Sequence, residues 1–351
     1  MFAIRDSAER HKMRNASAFS GFSLAKMEIS VNLGENDYDP QEFIDAAVYA
    51  EKLGFRTVWF GDHIFPWYHS GKRSSFAWSV MPVALEKTSK IKVGPWVTVP
   101  TGARYHPAIL AQAAATLDNL YPGRVLLGVG TGEALNETPF WNGRWPKWEE
   151  RMERLTEGVR LIRQMWHSSE PFSFEGKYFS APFYFLYTKP RREIPIYCSA
   201  IGKRAARAAG VHADGLITIS PRNDPSKLKE SILPAYKEGR TEANKEGLGK
   251  VAIELVFTFD EPEHLLSTAS KTLGINKKDS WSIRNPVAVE EAGGKVTVDE
   301  LRANMHFCKG WKDLVKIIEA YQEVGVNEVT TYTGCDKKQI RAFAKNVLEV
   351  F

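Results

Sequence analysis

MEISVNLGENDYDPQEFIDAAVYAEKLG, residues 27–54, reads as a short strand, a polar turn and an amphipathic helix. MEISVNL (27–33) is a short β-rich run. In PQEFIDAAVYAEKL (40–53), Phe43, Ala46, Ala47 and Ala50 fall on one face, Pro40 suits a first helical turn, and Gly54 marks the stop. The same unit recurs downstream. Strand-like runs stand at TVWFGDH (57–63), KVGPWVTV (92–99), RVLLGVG (124–130), IPIYCSA (194–200), GLITIS (215–220), VAIELVFTF (251–259) and EVTTYTG (328–334), each followed by a helical segment. Strands alternating with crossover helices specify a parallel sheet, and eight of each favour closure into a (β/α)8 TIM barrel over an open sheet. Residues 27–351 are thus expected to form one α/β barrel domain, preceded by an N-terminal extension over 1–26. Two insertions interrupt the repeat. One, near 170–193, reads as an aromatic-rich hairpin; the other, near 268–308, is mixed and partly helical. Such long loops serve as lids and binding walls, or as packing and oligomer contacts.

Composition narrows the function. A chain that is 43% hydrophobic and 25% charged has the make-up of a globular protein rather than a disordered one. Its 47 Lys and Arg are interspersed with 42 acidic residues, so the net charge of +5 leaves no basic run of the kind that binds nucleic acid. Cys198, Cys308 and Cys335 are odd in number and widely spaced, which argues against a disulfide framework or a zinc pair and for a reducing, cytoplasmic setting. No apolar run approaches the ~18 residues of a membrane span, and the first 26 residues lack the apolar core of a secretory signal.

In a barrel of this kind chemistry belongs where strands end and loops begin. GDHIFPW (61–67) puts Asp62, His63 and Trp67 at that rim. Histidine is the natural group for accepting an alcohol proton near neutrality, although a hydrogen-bonded structural histidine satisfies the same pattern. GVGTGEALNE (128–137) falls short of the dinucleotide fingerprint, because the position needing a third glycine or alanine is Glu133, a carboxylate that would repel a pyrophosphate. Its glycines still allow backbone to approach a flat ligand. Glu133 and Asn136 offer hydrogen-bonding groups at the ligand's edge, and a helix-start carboxylate is the plain structural alternative for Glu133. Glu35 is a further rim carboxylate in a turn of generic composition. Trp96 and Trp281 are flat apolar groups suited either to a core or to the wall of a planar cofactor. Phosphate-loop, zinc and nucleophile-elbow signatures are absent from the sequence, which removes the usual supports for phosphoryl and acyl transfer.

DHIFPWYH (62–69), RYHPAILAQAAATLDNLYPGRVLLGVGTGEALNE (104–137), FEGKYF (174–179) and FLYTKP (185–190) together resemble the coenzyme F420-dependent branch of the bacterial-luciferase-like superfamily, its secondary-alcohol and glucose-6-phosphate dehydrogenases above all. The resemblance spans residues 27–351. It implies a deazaflavin in the barrel mouth, surrounded by Asp62, Trp96, Val97, Thr131, Gly132, Glu133 and Asn136. Ser199, Ala200 and Gly202 of the SAIG turn would then face the cofactor's tail, and the Trp96–Val97 bond would be a cis peptide. It also implies His63 as the base toward the substrate hydroxyl, Glu133 as the acid near the ring, and Trp67 and Glu35 as further pocket groups. Trp67, Trp281 and Arg222 would contact substrate. The departures lie in that pocket: Ser280 and Trp281 stand where sugar-phosphate enzymes carry a Lys-His pair, Arg222 at a lysine and Asn304 at an arginine. They favour a less charged alcohol over glucose 6-phosphate. A homodimer follows from the same resemblance. An FMN-dependent monooxygenase and a flavin-binding barrel without turnover are the competing readings.

Overall fold

The expected opening unit is present in the computed structural model, which describes residues 26–34 and 37–351. Strand β1 (Glu28–Ile29, continuing at Val31–Asn32) leads to helix α1 (Pro40–Lys52). The backbone N–H of Asp39 donates to the Glu42 carboxylate at 2.7 Å, tying down the helix start. Phe43, Ile44, Ala46, Ala47 and Ala50 are its buried face. Gly54, with φ of +99°, turns the chain out of the helix in a conformation that a side chain would strain. Glu35 and residues 1–25 of the extension lie outside the described residues.

The remaining strands are β2 (Thr57–Phe60), β3 (Lys92–Pro95), β4 (Leu127–Val129), β5 (Ile196–Ser199), β6 (Gly215–Ile219), β7 (Lys250–Leu255) and β8 (Glu328–Thr331). Each pairs in parallel with its successor in the chain. The β3–β4 junction is made by the bridges Val93↔Val125 and Thr98↔Val129. Strand β8 returns to β1 through Glu328↔Glu28 and Val329↔Ile29, so the ring of eight closes. Crossover helices follow: α2 (Ala77–Lys87), α3 (Pro107–Leu120), α4 (Trp148–His167), α5 (Lys203–His212), α6 (Leu233–Glu242), α7 (Trp311–Glu323) and α8 (Lys337–Phe343).

Strand alternation sorts the core into two layers. On β7, Val251, Ile253 and Leu255 join the large cluster between strands and helices. Ala252, one residue out of phase, joins Trp59, Leu126, Tyr197 and Ile217 inside the barrel. The seventh strand ends earlier than the run VAIELVFTF suggests. Beyond Leu255 the chain leaves the barrel, and Phe257–Thr258 pairs with His306–Phe307 in a separate two-stranded sheet, with Phe257 and Phe259 packed on Trp311.

Both insertions are structured. The first is an antiparallel hairpin, Phe172–Glu175 with Ser180–Tyr184. Its FEGKYF turn is held by Glu157 of α4, whose carboxylate accepts the backbone N–H groups of Lys177, Tyr178 and Phe179 at 2.9, 2.8 and 2.7 Å. Replacing Glu157 with alanine strands three backbone donors, that of Phe179 buried, and is expected to cost about 3 kcal/mol. Urea unfolding checks this; a midpoint matching wild type would show that water substitutes freely for the carboxylate. The second insertion is mainly helical and has a small core of its own, Leu273, Val296 and Leu301. It is fastened over the mouth by Ser70 N–H to Glu290 at 2.6 Å and by Arg284 to the Gly143 carbonyl at 2.9 Å.

Candidate active site

The loops leaving β2 and β4 bring His63 and Glu133 together. His63 Nε2 lies 3.0 Å from Glu133 Oε1, with side chains 11% and 15% exposed. Nδ1 of His63 is fully buried, and Nε2 is the nitrogen turned to Glu133. Burial alone would push the Glu133 carboxyl up. The His63 charge and hydrogen bond, the Asn136 amide and Arg104 outweigh it and hold Glu133 below the ordinary carboxylate range. The arrangement pairs an imidazole with an ionised carboxylate through one short contact.

Asn136 organises that pair. Its Nδ2 donates to Glu133 Oε1 at 2.8 Å, while its Oδ1 accepts the backbone N–H groups of Ile64 and Phe65 at 2.9 and 3.1 Å. One amide therefore ties the β4 turn to the loop carrying His63 and Trp67. At 1% exposure it lies beneath the mouth surface. Asp62, also 1% exposed, accepts from the Tyr105 hydroxyl at 2.8 Å and faces Arg104 Nη2 at 3.5 Å. Both side chains are thus occupied by protein partners.

A strip of partly exposed groups runs across the mouth beside the pair: Trp96 and Val97 from β3, Thr131 to Glu133 from β4, and Ser199 from β5. The Trp96–Val97 bond is cis, as the resemblance implies. An added Cβ at Gly130 would meet Val97 Cγ2 at 2.6 Å, so the glycine turn packs directly on this bulge. Ala200 is buried, whereas Gly202 is exposed at the start of α5 and borders open space. A strip lined by glycine, Val97 and Trp96, with a carboxylate at one edge, has the shape and donor set for a flat heteroaromatic ligand. Among the described residues no cluster of three His, Cys, Asp or Glu is placed to hold a metal.

The outer wall extends from His63 as an aromatic chain. His63 packs edge-on against Trp67 at 5.2 Å between ring centroids, and Trp67 against Trp281 at 6.4 Å. The Arg222 guanidinium lies 5.1 Å from the Trp281 ring centroid, and its Nε donates to Asn304. Residues separated by more than two hundred positions thus form one wall. Arg104, Tyr105, Glu137 and Glu254 escaped the sequence reading. Glu254, on β7, accepts the Trp96 indole N–H at 2.9 Å. Its signal was present: a carboxylate at an inward position of an otherwise apolar strand. Arg104 and Tyr105 stand on the loop after β3, at the same rim as the residues that were singled out.

Residues 19–281 match the model of the luciferase-like monooxygenase family, and the chain belongs to that family. The match begins ahead of Met27. Among its relatives are F420-dependent glucose-6-phosphate dehydrogenases of Rhodococcus erythropolis, 33% identical over 321 residues (90% of this chain, 94% of the relative), and of Segniliparus rotundus, 34% identical over 312 residues (86% and 92%). Among solved structures, an F420-dependent secondary alcohol dehydrogenase in complex with an F420-acetone adduct superposes with a TM-score of 0.82 at 34% identity, covering 93% of this chain and 99% of that one. The coenzyme F420-dependent tetrahydromethanopterin reductase of Methanopyrus kandleri, at 23% identity and a TM-score of 0.70, shares the fold.

Proposed function

We propose that this chain is an F420-dependent dehydrogenase that oxidises a CH–OH group and, in the reverse direction, reduces the corresponding carbonyl. The observation that carries the reading is the 3.0 Å His63–Glu133 contact at the edge of the flat strip. The relatives named for F420 at 33% and 34% identity over most of the chain supply the cofactor. The deazaflavin, when bound, supplies the hydride acceptor. Trp96, Val97, Thr131, Gly132 and Ser199 would hold its ring and Gly202 would border its tail, while Asp62 and Asn136 shape the site from below. His63, whose Nε2 lies 3.0 Å from the Glu133 carboxylate, is the base for the hydroxyl proton, and Glu133 stabilises the imidazolium that results. Trp67 and Trp281 exclude water from the alcohol side.

The pocket favours an uncharged secondary alcohol over a sugar phosphate. Arg222 is its single cation in the wall described, and it is already engaged by Trp281 and Asn304; burial lowers its pKa. Steady-state F420 reduction with a panel of small secondary alcohols beside glucose 6-phosphate tests the assignment. Turnover of a neutral alcohol with a kcat/KM at least about tenfold above that of the phosphate is expected, a difference of about 1.4 kcal/mol in transition-state binding. Efficient use of the phosphate would overturn the substrate reading. Activity restricted to FMN and oxygen would overturn the cofactor reading in favour of a monooxygenase, and cofactor binding without any turnover would leave only a flavin-binding barrel.

We further read residues 27–351 as one domain, supported by the continuous core between strands and helices, and the protein as a cytoplasmic homodimer. Three buried free cysteines support the compartment. Exposed Phe76, Val83, Ile109 and Leu120, on or beside the helices after β2 and β3, support a partner surface. No helix of the described residues is long and apolar enough to cross a membrane.

A further inference from the structure

Behind the His63–Glu133 pair lies a second group of buried charges. Arg104 donates from Nη2 to the Asp62 carbonyl at 2.5 Å, faces Asp62 Oδ2 at 3.5 Å, and holds Nε 3.6 Å from Glu137 Oε1. Tyr105 completes the shell by donating to Asp62 Oδ1 at 2.8 Å. Three carboxyl groups, Asp62, Glu133 and Glu137, therefore share one guanidinium and one imidazole. Arg104 gives its hydrogen bond to the backbone of Asp62, the Asp62 carboxylate accepts from Tyr105, and His63 is bonded to Glu133. Glu137 is left over: both its oxygens are shielded from solvent and neither accepts or donates a hydrogen bond. Its side chain packs over Gly132, occupying the space that a Cβ there would need (2.6 Å to Glu137 Cγ). An ionised carboxylate without a hydrogen bond in such a site carries a desolvation cost of several kcal/mol, which protonation removes.

We propose that Glu137 is a neutral carboxylic acid in the resting protein and a positioning residue whose protonation sets the proton affinity of the His63–Glu133 pair. Every charged group packed on it is accounted for: Asp62 and His63 from the end of β2, Arg104 and Tyr105 from the loop after β3, and Glu133 from its own turn. Burial pushes the Glu137 carboxyl up; Arg104 opposes this, and Glu133 and Asp62 reinforce it, to about 8. Below that pH the pair sees no charge from Glu137. Above it, a new negative charge strengthens the hold of His63 on its proton and slows alcohol oxidation.

The protonation is measurable without cofactor or substrate, so its failure is distinguishable from failure of the catalytic reading, on which only the kinetic consequence rests. A carboxyl whose folded pKa is raised above its unfolded value stabilises the fold fully below the unfolded pKa and loses that contribution as pH rises through the folded one. In cofactor-free protein, the thermal midpoint of wild type is therefore expected to fall relative to that of Glu137→Gln between pH 5 and about 9. Parallel curves would overturn the proposal. Infrared difference spectra of wild type supply a second measurement that needs no variant: a protonated carboxyl band at pH 6 that is lost near pH 9.5. Its absence at pH 6 would overturn the proposal even if Glu137→Gln did not fold. Kinetically, any fall in alcohol oxidation that follows ionisation of Glu137 on the alkaline side should be absent in Glu137→Gln. An alkaline limb unchanged in the variant would refute the positioning role.

Discussion

His63→Ala is expected to lower turnover in alcohol oxidation by about 10²- to 10⁴-fold, the usual contribution of one general base. Affinity for the deazaflavin should stay within a factor of about three, because His63 meets the mouth at its edge and spends its contacts on Glu133 and Trp67. Fluorescence titration of the cofactor and steady-state kinetics separate the two effects. A parallel loss of cofactor affinity would make His63 a binding residue, and undiminished turnover would return it to a structural role. The acid limb of the alcohol-oxidation profile should follow deprotonation of an imidazole-like group in wild type and vanish in the variant. A limb that persists would transfer the role to a carboxylate, with Glu35 the first to examine.

Glu133→Gln is the second large effect, with turnover expected to fall by about 10²- to 10³-fold. Glutamine retains the size of the side chain and still accepts from Asn136. It removes the charge that favours a protonated imidazole. Because Glu133 acts through His63 across one contact, the losses should not add: His63→Ala with Glu133→Gln should be no more than a few-fold slower than His63→Ala alone. Multiplied losses in the double variant would show two independent roles. The fold supplies a further check. The ionised Glu133 lies below its unfolded pKa, so its stabilising contribution is present above pH 4.5 and lost as pH falls through the lower folded value. Glu133→Gln should flatten that acid-side decline in thermal midpoint.

Local pattern made much of the barrel legible. Short β-rich runs between turns marked all eight strands, and the spacing of Phe43, Ala46, Ala47 and Ala50 with a closing glycine marked α1. The errors fell where local pattern has no say. VAIELVFTF is uniformly strand-like, yet only its first part finds barrel partners, since Phe257 and Thr258 pair instead with His306 and Phe307. Such a choice depends on which strand is near, and a propensity carries no information about neighbours.

The site divided in the same way. From the sequence alone came the fold class, the rim position of His63 and Glu133, and the exclusion of a dinucleotide pyrophosphate by the carboxylate at position 133. The site readings follow from residues within a few positions of one another, and the fold class from eightfold repetition of one local pattern. Tertiary structure decided which atoms meet. It set Asn136 and Asp62 beneath the mouth with their side chains occupied, brought Arg222, Trp281 and Asn304 into one wall from two insertion-flanked segments, and gathered Asp62, Arg104 and Glu137 from three loops into a charge cluster with one carboxyl left over. The physical reason is that proton affinity and binding are set by distances of 3 to 4 Å between groups whose separation along the chain is tens to hundreds of residues. Closure of the barrel brings those loop ends to one rim, and only there do their charges acquire partners.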